Sequence, residues 1–505
     1  MTVETSGLFG ADVALREARA AGARADWLRR FVVAAGLGCA VLFVLVGVGF
    51  RLQLYADGSI FSYAVAIRES WAYHFRDIAA RLFVDVYSHL PAEAYVALTR
   101  DAAGGIALYG LLFFAAPLLG LLAAYAADRS AGRVIFACAC LSTALLCPMV
   151  FGFPTEMWIA HALFWPALAL CHYAGRGVLG SAAVVAALLA LALTHEGALV
   201  FAVAILATVA LRGLRDAAFR RAAGALLAVL AIWAAVKVGL PPGAYYARII
   251  PAAEWNFIDV TKLLTMPLFV LLLVTLMGYA AVVLALYRLA PMRAPAYAAA
   301  IVAHALGAYW LAFDHWLHTQ DRYYVRTAIL IATPLLGALA ALCAVRAEGR
   351  LHLPGPRLMQ LATTVAAGAA ALTRGAAARA AAGALALVLL VHAVETAKFV
   401  AAWTEYEAAL RALAMGTASD PALGSARFVS SQRLGARLNR LKWQTTTPFL
   451  SVLVAPDFAP ARLVVDPSAD YFWLSCALAT VSEQADRAIP AASRGLIRAH
   501  ACLHR

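Results

Sequence analysis

Eight stretches of this chain, 31–50, 106–126, 182–193, 198–211, 222–240, 267–287, 296–313 and 328–345, are strongly apolar and nearly free of charge. Most approach the roughly 20 residues that a helix needs to cross about 30 Å of bilayer hydrocarbon. In that medium every backbone N–H and C=O must be bonded internally, which turns such stretches into helices. Composition agrees. With 64% hydrophobic and 14% charged residues over 505 positions, and a mean hydropathy of +0.79, the chain is too apolar for a soluble globular protein. We read it as an all-α polytopic membrane protein with about 11 transmembrane helices and a small C-terminal soluble domain.

The net charge of +13 does not point to nucleic acid, because the basic residues are spread through short connections rather than gathered in one stripe. They report orientation instead. Arg16, Arg19, Arg24, Arg29 and Arg30 precede the first span, and further arginines mark alternate loops at 129–133, 176, 212–221, 288–293 and 346–357. The positive-inside rule makes those loops and the N-terminus cytoplasmic. The short intervening loops 151–157 and 194–197 contain no Lys or Arg. No cleavable signal is expected, since the first apolar run follows a long Ala/Arg/Glu segment. Abundant Ala, Gly and Arg with little Lys fits a GC-rich bacterial genome, so the expected location is a bacterial inner (cytoplasmic) membrane with the other face periplasmic.

Three parts follow: a cytoplasmic amphipathic segment at 1–30, a membrane domain at 31–400, and a polar region at 401–505 that reads as a periplasmic domain. Segment 357–383 is Ala-rich and only weakly apolar, and reads as an interfacial or re-entrant helix before a last span near 380–400. Loop 51–101 carries helix-like stretches at 61–68 and 71–77 whose mixed faces suit the membrane interface. Loop 241–266 carries Tyr245, Tyr246, Trp255 and Phe257, residue types that concentrate at headgroup level. Six cysteines, at 39, 138, 140, 147, 171 and 343, lie in or beside apolar runs and read as small buried hydrophobes. Cys476 and Cys502 stand in the polar region, where an oxidising compartment would allow a disulfide. No P-loop, GxGxxG, HExxH or GxSxG motif is present, and no Cys or His spacing suits zinc. No cofactor is implied, and a divalent metal has no support.

Ionisable residues gather on the face away from the arginine-rich loops. Asp57, Glu156, His161, His195, Glu196, Asp314, His315 and Asp321 all lie at or near the ends of separate apolar segments on that side. Such groups are costly at membrane depth, which makes their gathering a functional-site hypothesis. Each has a plainer alternative. Asp57 stands in an Asp-Gly pair that suits a turn or helix start. Glu156 and His161 could form a hydrogen-bonded pair inside the bundle, and His195 with Glu196 could be mere turn residues. Between His315 and Arg326, a spacing of four puts Arg322 and Arg326 on one helical face beside Tyr323 and Tyr324. An interface anchor would explain the same run. His304, alone within a span, reads as a packing or helix–helix hydrogen-bonding residue.

The first span, the long external loop that follows it, the acidic residue Asp57 within residues 53–63, and the polar C-terminal region together make the chain resemble the GT-C superfamily of integral-membrane glycosyltransferases. The likeness is architectural and covers most of residues 30–400. Members of that superfamily often carry paired acidic residues in this loop, whereas Asp57 stands alone. The resemblance implies transfer of a sugar from a polyprenyl-phosphate donor to a cell-envelope glycan, lipid or protein acceptor on the outer face. Such transfer needs a carboxylate base for the acceptor hydroxyl, for which Asp57 is the first choice and Glu156 and Glu196 the next. It also needs cationic or polar groups for the leaving lipid phosphate and the sugar, to which His161, His195, His315, Arg322, Tyr323 and Arg326 are assigned. The rival readings are a transporter or flippase of a lipid-linked or small polar substrate, which should place ionisable groups near the bilayer midplane on broken helices, and a non-catalytic envelope scaffold.

Overall fold

The computed structural model describes residues 6–75, 78, 81–146, 155–240, 260–313, 325–416, 426–442, 446–466, 476, 479–480 and 488–503, without the side chains of 6–26, 74 and 262. Its α-helices of eight or more residues are α1 (Ser6–Gly49), α2 (Asp57–Ile67), α3 (Leu90–Thr99), α4 (Ala102–Ala127), α5 (Val134–Leu146), α6 (Met157–Tyr173), α7 (Val178–Ala192), α8 (Ala198–Val209), α9 (Ala217–Gly239), α10 (Pro267–Tyr287), α11 (Ala294–Ala312), α12 (Val325–Ala347), α13 (Pro356–Ala371), α14 (Gly375–Met415), α15 (Thr447–Val454) and α16 (Ala491–Leu503). Seven of the described helices contain a segment long and apolar enough to cross a bilayer: α1, α4, α9, α10, α11, α12 and α14. The helical segments at α5, α7 and α8 are apolar but shorter. This is a multi-pass helical membrane protein. Large apolar side chains stand exposed on its outer helices, among them Leu227, Val238, Leu284 and Leu311, an arrangement suited to lipid contact.

Helix α6 is apolar on every side and is buried on every side, with Trp158, Phe164 and Trp165 among the largest enclosed side chains. Small residues let neighbours approach one another. A Cβ on Gly120 of α4 would fall 2.5 Å from the Ala162 carbonyl oxygen of α6, and one on Gly36 of α1 would fall 2.4 Å from that of Cys140 on α5. Bilayer lipid gives helices no hydrophobic reason to associate, so close backbone approach of this kind supplies the attraction through packing. Phe43 of α1 completes the contact by meeting the Phe114 ring edge-on at 5.0 Å.

Two helices exceed the membrane. The 44 residues of α1 and the 41 of α14 extend about 66 and 61 Å, twice the hydrocarbon thickness. The arginine-bearing start of the chain is therefore continuous with the first span rather than a separate element. Likewise the last span, expected near 380–400, runs unbroken to Met415. Segment 357–383, read as one interfacial or re-entrant helix, is divided between the separate helix α13 and the first residues of α14.

The C-terminal region is short helices and a two-stranded parallel sheet, β1 (Phe428–Ser430) on β2 (Leu463–Val465), paired Phe428 to Leu463 and Ser430 to Val465. Cys476 and Cys502 are joined in a disulfide with Cα atoms 4.7 Å apart. Helix α15 packs on α2 and α14, with Phe449 against Tyr63 at 5.0 Å between ring centroids. Arg51 ties the parts together, pairing with Glu407 at 2.7 Å and donating to the Leu453 carbonyl at 3.2 Å. Under this cover residues 58–67 of α2 are wholly buried. The stretch expected to lie on the membrane interface is thus an internal helix, because α15 covers the face that lipid would have met.

Candidate functional site

Side-chain contacts sort the helix ends into two groups. At one end, Arg212 after α8 holds Glu348 after α12 at 2.9 Å and donates to His172 Nδ1 near the end of α6. At the other end lie Asp57, Arg81, Glu156, His195 and Arg326. Of the residues expected on one face, Asp57, Glu156, His195, Glu196 and Arg326 gather at this end.

Asp57 is the first residue of α2. It follows Ala56, whose backbone at φ 53°, ψ −132° lies in a region that only glycine occupies without strain. That strain turns the chain sharply out of the Leu52–Leu54 turn and starts α2 with its carboxylate directed at α12. There, near the start of α12, the buried Arg326 places Nη2 3.7 Å from Asp57 Oδ2. Asp57 is accordingly not the N-cap of its helix, a position taken by Ala56 without any side-chain bond.

Arg81 organises the second half of the site. Its Nη1 lies 2.8 Å from Glu156 Oε1, and its Nη2 and Nε lie 3.1 and 3.2 Å from Glu196 Oε2. One guanidinium thus joins the start of α6 to the turn before α8, the fork geometry to which arginine is suited. Backbone pairing supports the same junction, with Phe83 N–H donating to the Leu193 carbonyl at 2.9 Å. His195 is buried, and its Nδ1 accepts from Gly197 N–H at 3.0 Å. Burial first, and Arg81 second, lower its pKa to about 3, so the ring is neutral with the proton on Nε2. Burial pushes the Glu196 carboxyl upward, but Arg81 and the neighbouring dipoles outweigh it and bring its pKa down to about 2.

The two halves form one site. His195 lies within electrostatic reach of Arg81, Glu196, Glu156 and Arg326, and the buried Tyr109 of α4 lies within reach of both Glu156 and Asp57. The Tyr109 hydroxyl and Glu196 Oε1 are buried without a hydrogen-bond partner among the described residues, so polar capacity in this region is left for a ligand or water. What results is a set of carboxylates each countered by a guanidinium at the ends of membrane helices. It can hold an anion through displaced arginines and accept a proton at a carboxylate.

His161 does not belong to it. Its Nε2 is 2.9 Å from Ser142 Oγ and 3.4 Å from Trp165 Nε1, so it locks α6 to α5 inside the bundle and does not pair with Glu156. His304 faces outward on α11 and bonds the Ala300 carbonyl of its own helix, so it is not a packing residue. Asp314, His315, Asp321, Arg322, Tyr323 and Tyr324 lie outside the described residues. Cys39, Cys138, Cys140, Cys171 and Cys343 lie within helices, with Cys39, Cys140 and Cys171 buried, and Cys147 lies outside the described residues. Among the described residues no three His, Cys, Asp or Glu side chains are grouped to hold a metal ion.

Sequence reasoning missed Arg81 and Tyr109. Arg81 had only a weak signal, as one of five arginines, with Arg51, Arg68, Arg76 and Arg100, in loop 51–101. Tyr109, inside an apolar run, had none. No protein-family model, curated protein or solved structure matches this chain.

Proposed function

We propose that this chain is a GT-C-type membrane glycosyltransferase that moves a sugar from a polyprenyl-phosphate donor to an envelope acceptor on the periplasmic face of a bacterial inner membrane. The observation that carries this reading is the Asp57 carboxylate, set by a strained backbone against the Arg326 guanidinium at the membrane surface. A base and a phosphate-binding cation are what the reaction requires side by side. Asp57 takes the proton of an acceptor hydroxyl, the oxygen bonds to the anomeric carbon, and the bond from that carbon to the phosphate oxygen breaks. The electron pair leaves on the lipid phosphate, where Arg326 meets the charge. Arg81 fixes Glu156 and Glu196 as a rigid wall, and Tyr109 and His195 present neutral polar groups toward the sugar.

The full reading has eleven crossings, the seven long helices together with α5, α6, α7 and α8. It keeps the arginine-rich ends cytoplasmic and the disulfide-bonded C-terminal region periplasmic. An apolar groove of about 1060 Å³ between α1 and α14, lined by Gly38, Leu42, Ala393 and Ala397, offers room for a long hydrocarbon chain. A transporter is less well supported, because these charges sit at helix ends rather than midway along broken helices.

Mass spectrometry of lipid retained by the purified protein tests the proposal. Wild type should carry a polyprenyl-phosphate sugar. Asp57→Asn should retain at least as much while transferring none, because the amide keeps the shape and loses the proton acceptor. A retained lipid of another class, or undiminished transfer by Asp57→Asn, would remove the reading. Loss of no phenotype with Asp57→Ala would favour a scaffold.

A further inference from the structure

At the end of the bundle away from Asp57, helix α13 joins α12 to α14. Only Ala362 and Ala366 of its 16 residues are buried. Leu358, Leu361 and Val365, with Leu372 just beyond, are 50%, 61%, 44% and 57% exposed. At about 100° per residue these four fall within about 60° of one another, a single apolar stripe left exposed by the described residues. The tethers say what the stripe meets. α12 and α14 both cross the membrane, Arg346 near the end of α12 donates to the Thr363 carbonyl at 3.0 Å, and only residues 372–374 separate α13 from α14. The stripe is thereby held at the membrane surface.

The charge around it is one-signed. Arg357 flanks the stripe, Arg374 precedes α14, and Arg379 lies beside the α10–α11 turn, donating to the Met292 carbonyl at 3.3 Å. That turn adds Arg288 and Arg293, and all five arginines are exposed. Glu348 is the sole acidic residue in segments 288–293 and 346–379, and it is already engaged by Arg212 and by the Tyr173 hydroxyl. We propose that α13 and these arginines form a binding surface for anionic phospholipid headgroups of the adjoining leaflet. The stripe enters the acyl boundary and the guanidiniums pair with lipid phosphates.

Two measurements on the full-length protein test this. In detergent, added phosphatidylglycerol should raise the thermal midpoint of wild type and phosphatidylcholine should not, and high salt should shrink the gain. Each arginine removed should weaken the response to phosphatidylglycerol by about fivefold. R357Q/R374Q/R379Q should therefore lose most of it, while R427Q/R440Q, in the C-terminal region at the opposite end, should keep it. Equal gains from both lipids, or an undiminished gain in the triple variant, would overturn the headgroup site. In vesicles, a fluorophore on Leu361→Cys should be quenched by a lipid-borne quencher and one on Ala370→Cys, exposed and about 180° around the helix from Leu361, should not. Equal exposure of both to an aqueous quencher would mean that the stripe awaits a protein rather than the bilayer, and the proposal fails.

Discussion

Replacing Arg81 with methionine keeps most of the side-chain stem and removes the cation that bridges Glu156 and Glu196. Both ion-pair contacts are short, at 2.8 and 3.1 Å, and the side chains of Arg81, Glu156 and Glu196 are only 10%, 4% and 16% exposed. Stripping one partner from a buried ion pair costs about 3 to 5 kcal/mol, and here two anions lose the same partner. The pH dependence gives a sharper test, because its slope should flatten. In wild type, the folded state holds His195 at about 3 instead of 6.5 and Glu196 at about 2 instead of 4.5. Both lowered values contribute stability that is present above the unfolded pKa and lost as pH falls toward the folded one, so wild type should weaken on acidification below about pH 6.5. Arg81 lowers both groups, so without it both pKa values move up toward their unfolded values, while burial still holds His195 down. Arg81→Met should therefore start lower at neutral pH and lose less than wild type on acidification. Thermal midpoints in detergent across that range read both effects. Adding Glu196→Gln to Arg81→Met should restore part of the loss, since it removes one uncompensated charge. A single variant with the wild-type midpoint and the wild-type slope would refute the shared-cation argument.

Gly120→Val should destabilise the bundle by about 1 to 3 kcal/mol or more, because its Cβ would lie 2.5 Å from the Ala162 carbonyl oxygen; Gly278→Ala, with open space at the Cβ position, should be nearly neutral, and equal midpoints for the two would remove the close-approach explanation. Cys476→Ser should lower the stability of the C-terminal region by about 3 kcal/mol for a loop of this length, read as faster proteolysis between residues 426 and 503. Thiol reagent that labels both cysteines in unreduced wild type would disprove the bond.

Membrane class and helical content were legible in the residues, because the bilayer accepts so few solutions: apolar runs near 20 residues must be helices, and arginine placement sorts their ends. The same logic placed Asp57, Glu156, His195, Glu196 and Arg326 on one side, and the Cys476–Cys502 pair followed from two cysteines in one polar segment. Periodicity is silent on which ends touch. Only the tertiary structure decided that Arg81 bridges Glu156 and Glu196, that His161 belongs to Ser142 instead, and that α15 covers α2. Those outcomes depend on contacts between residues 19 to 387 positions apart, where nothing local records the partner. Helix ends α1 and α14 escaped for a related reason: a helix continues past the bilayer whenever its backbone stays bonded, and hydropathy marks where the lipid stops rather than where the helix does.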